Sequence, residues 1–163
     1  MDKVTQDRIQ LLHPAVRQEV TTIINEANQQ LTGKAQVRIS QGLRTIEEQN
    51  NLYAQGRTKP GKKVTNAKGG SSYHNYGLAV DIVLIIDGKE ASWDTEKDFD
   101  NDGKADWMEV VAVFKKYNWA WGGNFKSITD KPHFEKTFGY TVSQLLAKHS
   151  KKDFIPSTTY IKL

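Results

Sequence analysis

The sequence predicts a single α+β domain in which a small antiparallel sheet is flanked by helices. Helical periodicity dominates the first thirty residues, and a nearly continuous β-branched run over residues 78–86 is typical of a buried strand. Short strand patterns then alternate with helical ones, without repeats or a linker. A length of 163 residues suits one hydrophobic core, so we expect a single domain over residues 1–163, with the core of that domain at about residues 35–140.

Two helices and a strand are predicted first. Residues 4–12 indicate a short helix, and apolar residues from Val16 to Leu31 recur at helical spacing. Pro14 suits the first turn of this second helix, and Gly33 suits its end. Residues 35–40 alternate apolar and polar side chains, which predicts a strand.

A third helix is predicted from its capping signals. Thr45 and Glu48 form a capping box, and the helix continues through Tyr53 until Gly56 ends it. A polar loop rich in glycine and lysine follows over residues 57–73. After the strand at 78–86, we expect a helix, two short strands and a last helix at 107–117, 119–121, 133–135 and 141–148.

Composition excludes several classes of protein. Cysteine is absent, so disulfides and thiolate metal ligands are excluded, and a metal would need His, Asp or Glu. No window approaches the roughly 20 apolar residues of a membrane span, so we expect no membrane insertion. Residues 1–10 lack the apolar centre of a signal peptide, which predicts synthesis in the cytoplasm. The net charge of +4 is spread over scattered lysines, so we expect no nucleic-acid partner.

Asp81 is out of place in the middle of an apolar strand. An unpaired buried carboxylate costs several kcal/mol, and a bound cation, a buried arginine, an ion pair or a half-exposed face would each remove that cost. His74 lies seven residues earlier, and Gly77 lets the chain bend so that the histidine and Asp81 converge. On its own, such a pair is more often a hydrogen bond than a metal site.

A third candidate ligand lies far along the chain at His133. Pro132 biases the residue before it toward an extended conformation, which excludes a helical H-E-x-x-H arrangement. Two histidines and one carboxylate, with an open position for water, are the ligands of catalytic zinc. The sequence therefore predicts a zinc site at the sheet, made by His74, Asp81 and His133, with Asp130 as a candidate general base.

These segments also resemble a known family. Residues 72–81 match the S-x-H-x-x-G-x-A-x-D motif of the zinc D-Ala-D-Ala metallopeptidases at Ser72, His74, Gly77, Ala79 and Asp81. Residues 121–125 and 130–134 resemble the second motif of that group, and residues 41–58 resemble its N-terminal motif. Three motifs in the same order are more specific than one short pattern. The closest branch resembles the L-alanyl-D-glutamate endopeptidases of phage endolysins and bacterial autolysins.

The resemblance implies a zinc peptidase whose substrate is the peptide stem of peptidoglycan. His74, Asp81 and His133 would bind zinc, Asp130 would be the general base, and Arg44 would stabilise the oxyanion. Many members have Glu in place of Asp130, and we interpret the aspartate as favouring the endopeptidase branch. The residues expected to contact substrate are Arg44, Gln49, Ser72, Tyr76 and Trp121.

Other interpretations stay open at this point. The enzyme could instead be a D-Ala-D-Ala carboxypeptidase, or the chain could be a non-catalytic domain that binds peptidoglycan through a metal fold. Retention of both Asp130 and Arg44 favours catalysis. We expect a monomer without a separate wall-binding domain, which acts on the cell wall after release, as in phage or prophage lysis.

A second metal signal lies in residues 98–109, called here the acidic loop. It fits the calcium-loop pattern D-x-D-x-[DN]-G-x5-E, with Gly103 at the sharp turn. The candidate calcium ligands are Asp98, Asp100, Asp102, Lys104 through its carbonyl, Asp106 and Glu109. The alternative is an acidic surface loop that caps the helix beginning near Trp107. A calcium-regulated structural module would rest on this loop alone and would leave Asp81 unexplained.

The two remaining histidines carry no catalytic signal. His13 precedes a proline at a helix start, and His149 lies at a lysine-rich helix end. We expect both to be solvated surface residues, and we expect Trp119 or Trp121 to lie inside the core.

Overall fold

A computed structural model of the chain describes residues 1–163. The helices are α1 (Lys3–Leu11), α2 (Pro14–Gln30), α3 (Ile46–Ala54), α4 (Asp106–Lys116) and α5 (Val142–Ser150). The strands are β1 (Ala35–Gln41), β2 (Ala79–Ile86), β3 (Glu90–Ser92), β4 (Ala120–Trp121) and β5 (His133–Glu135). Two short 3-10 helices cover Tyr73–Tyr76 and Gly122–Asn124. The prediction of an α+β fold with a small antiparallel sheet is confirmed.

Strand β2 is the centre of the sheet, and all its pairings are antiparallel. It pairs with β1 along one edge; its other edge is shared by β5 near its beginning and β3 near its end. Strand β4 extends the sheet beyond β5. Because β2 has neighbours on both edges and buried side chains on both faces, its apolar run has no solvated side.

The hydrophobic core lies between this sheet and the helices. Helices α1 and α2 pack against β1, and α4 packs against α2. Val20, Ile23 and Ile24 of α2 are fully buried, and burial of such side chains contributes about 1.5–3 kcal/mol each. Pro14 begins α2 and Thr45 forms the capping box of α3, as the sequence predicts. No helix has the length and apolar character needed to cross a bilayer.

Two histidine predictions are wrong. His13 is 1% exposed: its Nδ1 accepts from the Ala15 backbone N–H, and its Nε2–H donates to the Ile161 carbonyl at 2.7 Å. His149 is half-buried, with its ring 5.3 Å from that of Phe154. Both contacts involve the C-terminal segment, where Phe154 pairs with Ile161, and local sequence did not predict that this segment would cover them. Trp119 lies in the core, as expected for one of the two tryptophans.

Candidate metal centre and surrounding cleft

His74 is placed by a short, tightly capped turn just before β2. The Ser72 hydroxyl accepts a hydrogen bond from the His74 backbone N–H, which starts the 3-10 helix. Gly77 ends it with a φ of 68°, and a Cβ there would lie 2.4 Å from the backbone nitrogen of His13. Only glycine fits both the left-handed backbone and this close approach. The bend at Gly77 therefore determines where the His74 ring lies relative to β2.

Asp81 and His133 are brought together by strand register. They are directly opposed in the antiparallel pairing of β2 with β5, so their side chains project on the same face of the sheet. The distance from His133 Nδ1 to Asp81 Oδ1 is 3.1 Å, and that from His74 Nε2 to the same oxygen is 3.2 Å. We refer to these three residues as the His–Asp–His cluster.

Backbone hydrogen bonds hold Asp130 in the cleft that contains this cluster. Its N–H donates to the Gly122 carbonyl at 2.9 Å, and its own carbonyl accepts from the His133 N–H at 3.1 Å. A Cβ at Gly122 would lie 2.1 Å from the Asp130 carbonyl oxygen, so a side chain there would displace this turn. The Asp130 side chain is exposed and lines the same cleft as the cluster.

Outer hydrogen bonds determine which nitrogen each imidazole presents to Asp81. His74 Nδ1 lies 2.8 Å from the Gly42 carbonyl, which only accepts, so we assign the hydrogen to Nδ1. His133 Nε2 lies 2.8 Å from a Glu135 carboxylate oxygen, so we assign the hydrogen of that ring to Nε2. In the neutral rings, the inner nitrogens therefore direct lone pairs at a carboxylate oxygen, an arrangement that a proton or a metal ion between the atoms would satisfy.

The donor set and its spacing fit zinc. Two imidazole nitrogens and one carboxylate oxygen form a catalytic zinc set with an open fourth position. Bonds of roughly 2.0–2.1 Å around a tetrahedral ion put neighbouring ligand atoms about 3.3 Å apart. The measured separations of 3.1 and 3.2 Å are close to that value, and all three ligand atoms lie within 4.8 Å of one another.

The electrostatics of the cluster favour positive charge. Burial opposes ionisation of Asp81, but the imidazoles of His133 and His74 outweigh it and lower the pKa of Asp81 below its usual range. Burial likewise works to lower the pKa of His133, yet the Asp81 and Glu135 carboxylates raise that pKa to about 9. Loss of hydration, and next the charge of Asp81, raise the pKa of Asp130.

Arg44 lies in the same cleft and has unused donors. Its Nη1 donates to Gln49 Oε1 at 2.9 Å, its backbone N–H donates to the His74 carbonyl, and its Nε is buried without a partner. The cleft is lined by the cluster together with Gln41, Arg44, Leu52, Val64, Thr65, Ser72 and Asp130. The loop after α3 therefore forms one wall of the cleft through Val64 and Thr65.

Two predicted substrate contacts are corrected by burial. Gln49 is fully buried and holds Arg44 and the Ala67 carbonyl. Tyr76 is 3% exposed, and its hydroxyl donates to the Gly70 carbonyl at 2.6 Å. Gln49 therefore supports the cleft from behind through Arg44, whereas the Tyr76 hydroxyl is engaged with the backbone outside the cleft lining. The indole N–H of Trp121 donates to the Lys131 carbonyl, and Trp121 is not among the lining residues.

Glu135 is a site residue that the sequence analysis missed. It lies two residues after His133 in β5, and alternate residues of a strand share a face. That spacing was a signal that could have identified it. The Gly42 carbonyl is the corresponding partner of His74, and a backbone acceptor leaves no signal in the sequence.

The acidic loop forms a second group of carboxylates, remote from this cleft in sequence. Oxygens of Asp98, Asp100 and Asp106 lie within 4.8 Å of one another, as do those of Asp100, Asp102 and Glu109. Burial, and next the neighbouring carboxylates, raise the pKa of Glu109 to about 7.

This chain is similar to known proteins in sequence and in fold. A family model described as D-alanyl-D-alanine carboxypeptidase matches residues 65–136. The peptidoglycan L-alanyl-D-glutamate endopeptidase CwlK of Bacillus subtilis (strain 168) is 45% identical over 125 residues, which are 76% of this chain and 72% of CwlK. The crystal structure of the Serratia marcescens L-Ala D-Glu endopeptidase ChiX matches with a TM-score of 0.55 and 22% identity, over 85% of this chain and 90% of ChiX. At that identity, the likeness to ChiX shows a shared fold.

Proposed function

Since this chain belongs to the D-alanyl-D-alanine carboxypeptidase-like M15 peptidase family, whose members depend on zinc, we propose that it hydrolyses an amide bond in the peptide stem of bacterial peptidoglycan. We assign the bond between L-alanine and D-glutamate, because CwlK is an endopeptidase for that bond. The observation that carries the proposal is the convergence of the His–Asp–His cluster with Asp130 and Arg44 in one cleft.

The cluster is assigned as the zinc site of the enzyme. His74 would bind through Nε2, His133 through Nδ1 and Asp81 through a carboxylate oxygen. Bound zinc supplies a Lewis acid and a water of lowered pKa. The Gly42 carbonyl and the Glu135 carboxylate hold the imidazoles in the tautomers that present these nitrogens.

Asp130 is assigned as the general base. Its carboxylate is exposed to the cleft, so a water molecule there can reach it. Its raised pKa makes it a stronger proton acceptor than an ordinary aspartate. Asp130 takes a proton from the attacking water and delivers it to the amide nitrogen of D-glutamate as the C–N bond breaks.

Arg44 is assigned to the carbonyl oxygen of the scissile bond. Gln49 accepts from Nη1 alone and Nε is buried, so Nη2 is the donor that has no partner and can serve an oxygen that gains negative charge. The backbone hydrogen bond from Arg44 to the His74 carbonyl holds the backbones of these two residues next to each other. Arg44 therefore stabilises the tetrahedral oxyanion from a site next to a metal ligand.

The matching family model favours a second candidate activity, removal of a terminal D-alanine. Digestion of purified peptidoglycan, followed by mass spectrometry of the fragments, separates the two. We expect fragments with a new N-terminal D-glutamate. Release of free D-alanine alone would instead identify a carboxypeptidase.

A matched variant separates catalysis from simple binding. Asp130→Asn keeps the size of the side chain and removes the base, so it should still bind zinc and sediment with peptidoglycan while it releases no fragments. Wild-type protein that carries zinc and binds the wall, but releases nothing, would contradict a peptidase and identify a wall-binding domain.

A further inference from the structure

The acidic loop lies after β3 and includes the first turn of α4, and the proposed peptidase chemistry does not use it. Its carboxylates form two groups of three that share Asp100, and within each group the oxygens lie within 4.8 Å of one another. None of the ion pairs in the structure includes any of these carboxylates. No lysine or arginine therefore forms a close ion pair with these carboxylates, and Lys104 only partly offsets the effect of its acidic neighbours on the pKa of Glu109.

Two of the carboxylates are buried, and each has an oxygen without a hydrogen-bond partner. Asp106 is 0% exposed; its Oδ1 accepts from the Phe99 N–H at 2.7 Å, but its Oδ2 has no partner. Glu109 is 8% exposed, and its Oε2 also has no partner. Leaving a charged oxygen buried and unpaired is more costly than the about 1–3 kcal/mol of a neutral group. Asp106 has an oxygen within 4.8 Å of those of Asp98 and Asp100, and Glu109 has one within 4.8 Å of those of Asp100 and Asp102. A cation bound among these carboxylates would offset the cost of both buried acids.

The simplest alternative is that these acids only cap α4. That alternative accounts for negative charge near the first turn of a helix. The residue at the N-cap position is Ala105, however, and no side chain caps α4. Asp106 Oδ2 and Glu109 Oε2 accept no hydrogen bond from any N–H, so helix capping leaves these two oxygens unexplained.

We propose that the acidic loop binds one calcium ion through the carboxylates of Asp98, Asp100, Asp102, Asp106 and Glu109. Calcium accepts six to eight oxygen ligands in flexible geometry, which a set of five carboxylates and a backbone carbonyl can supply. Gly103 adopts a φ of 90° at the turn, and the Lys104 carbonyl follows it at the position that binds calcium in such loops. This site is independent of the proposed peptidase function.

The loop connects the calcium site to two parts of the fold. Asp100 Oδ2 accepts from the backbone N–H and the hydroxyl of Thr32, between α2 and β1. Asp106 begins α4, and Phe114 of that helix stacks on Phe134 with ring centroids 4.1 Å apart. Phe134 is the neighbour of His133 in β5, so calcium would stabilise the helix that supports the strand of a metal ligand.

Thermal unfolding of the zinc-loaded protein, with and without calcium chloride, tests the proposal. At calcium concentrations about 100-fold above Kd, we expect Tm to rise by roughly 5–10 °C. Calorimetric titration should give one calcium per chain. No heat and no rise in Tm at millimolar calcium would overturn the proposal, as would an equal rise with magnesium chloride.

Charge-matched variants locate the site. Glu109→Gln should abolish the calcium-dependent rise in Tm while the calcium-free protein remains folded, because the substitution removes a buried charge. Glu96→Gln changes the net charge equally on an exposed residue outside the loop and should keep the full rise. Asp102→Asn, at an exposed position in the loop, provides a second variant if Glu109→Gln does not fold. Equal responses of the loop variants and Glu96→Gln would overturn the assignment.

Discussion

The His–Asp–His cluster and the acidic loop are both groups of metal-type ligands, but they are built differently. The cluster takes its residues from three segments that the sheet brings together, whereas the acidic loop takes all of them from twelve consecutive residues. In the cluster, each imidazole has an outer partner, Gly42 or Glu135, that orients it. In the acidic loop, two buried oxygens have no partner at all.

We interpret the cluster as a site whose geometry is preorganised by the fold, and the acidic loop as one that needs a cation to balance its charge. The cluster is positioned by strand register and a capped turn, so its shape belongs to the fold. In the acidic loop, neighbouring carboxylates raise the pKa of Glu109, so we expect the stability of the loop to depend on the proposed cation. Loss of metal should therefore affect chemistry at the cluster and stability at the loop.

The largest expected effect follows removal of a ligand from the cluster. Asp81→Asn should abolish peptidoglycan cleavage and lower zinc affinity by more than the roughly 10–100-fold that follows loss of an outer partner. Zinc content per chain, measured by elemental analysis, checks this. Asp98→Asn makes the same change in the acidic loop and should keep zinc; a full zinc complement in Asp81→Asn would break the comparison.

The next effect separates metal binding from catalysis within the cleft. Asp130→Asn should lower kcat by roughly 10²–10⁴-fold, the usual contribution of a general acid–base group, with zinc content unchanged. Steady-state kinetics on a stem-peptide substrate measures the loss. Activity within a few-fold of wild type would remove Asp130 from its assigned role.

Changing an outer hydrogen-bond partner of an imidazole should lower zinc affinity less than removing a ligand does. Glu135→Gln keeps an acceptor for His133 Nε2–H but removes the charge, so we expect zinc affinity to fall by roughly 10-fold. Competition with a chelator of known affinity gives the value. Glu90→Gln, an exposed residue of β3, is the control and should leave zinc affinity unaltered.

The smallest effect concerns the pH dependence of stability in the acidic loop. Glu109 has its pKa raised from 4.5 to about 7, so the calcium-free folded state retains a proton that the unfolded state loses. The free energy of unfolding should therefore fall as pH rises from about 4.5 to about 7, by on the order of 1–3 kcal/mol. Chemical denaturation across that range, without calcium, measures the slope. Glu109→Gln should flatten it, and an unchanged slope in that variant would be inconsistent with the assigned cause.

Local patterns predicted most of the fold. The capping box at Thr45, Pro14 at the start of α2 and the apolar run of β2 each act over a few residues, and each element formed where expected. Strand β3 was missed because the three residues Glu90–Ser92 are short and polar, and it forms only as a partner of β2. His13 was predicted to be exposed because the Ile161 that covers it is 148 residues away.

The candidate site likewise has features that local sequence predicted and features that depend on the fold. The metal-ligand residues and the bend at Gly77 could be predicted from sequence. A carboxylate in an apolar strand and a glycine before that strand are each local signals with a physical cause. The opposition of Asp81 and His133 depends on strand register, which the sequence did not show. Gln49 and Tyr76 were expected to touch substrate, and their burial, which depends on the surrounding fold, could not be predicted from local sequence.

The most direct test of the central claim is a crystal structure of the active enzyme, with anomalous diffraction recorded at the zinc edge. We predict one strong peak bonded to His74 Nε2, His133 Nδ1 and a carboxylate oxygen of Asp81, at roughly 2.0–2.2 Å from each. A peak located only at the acidic loop, or active crystals without any zinc peak, would contradict the account.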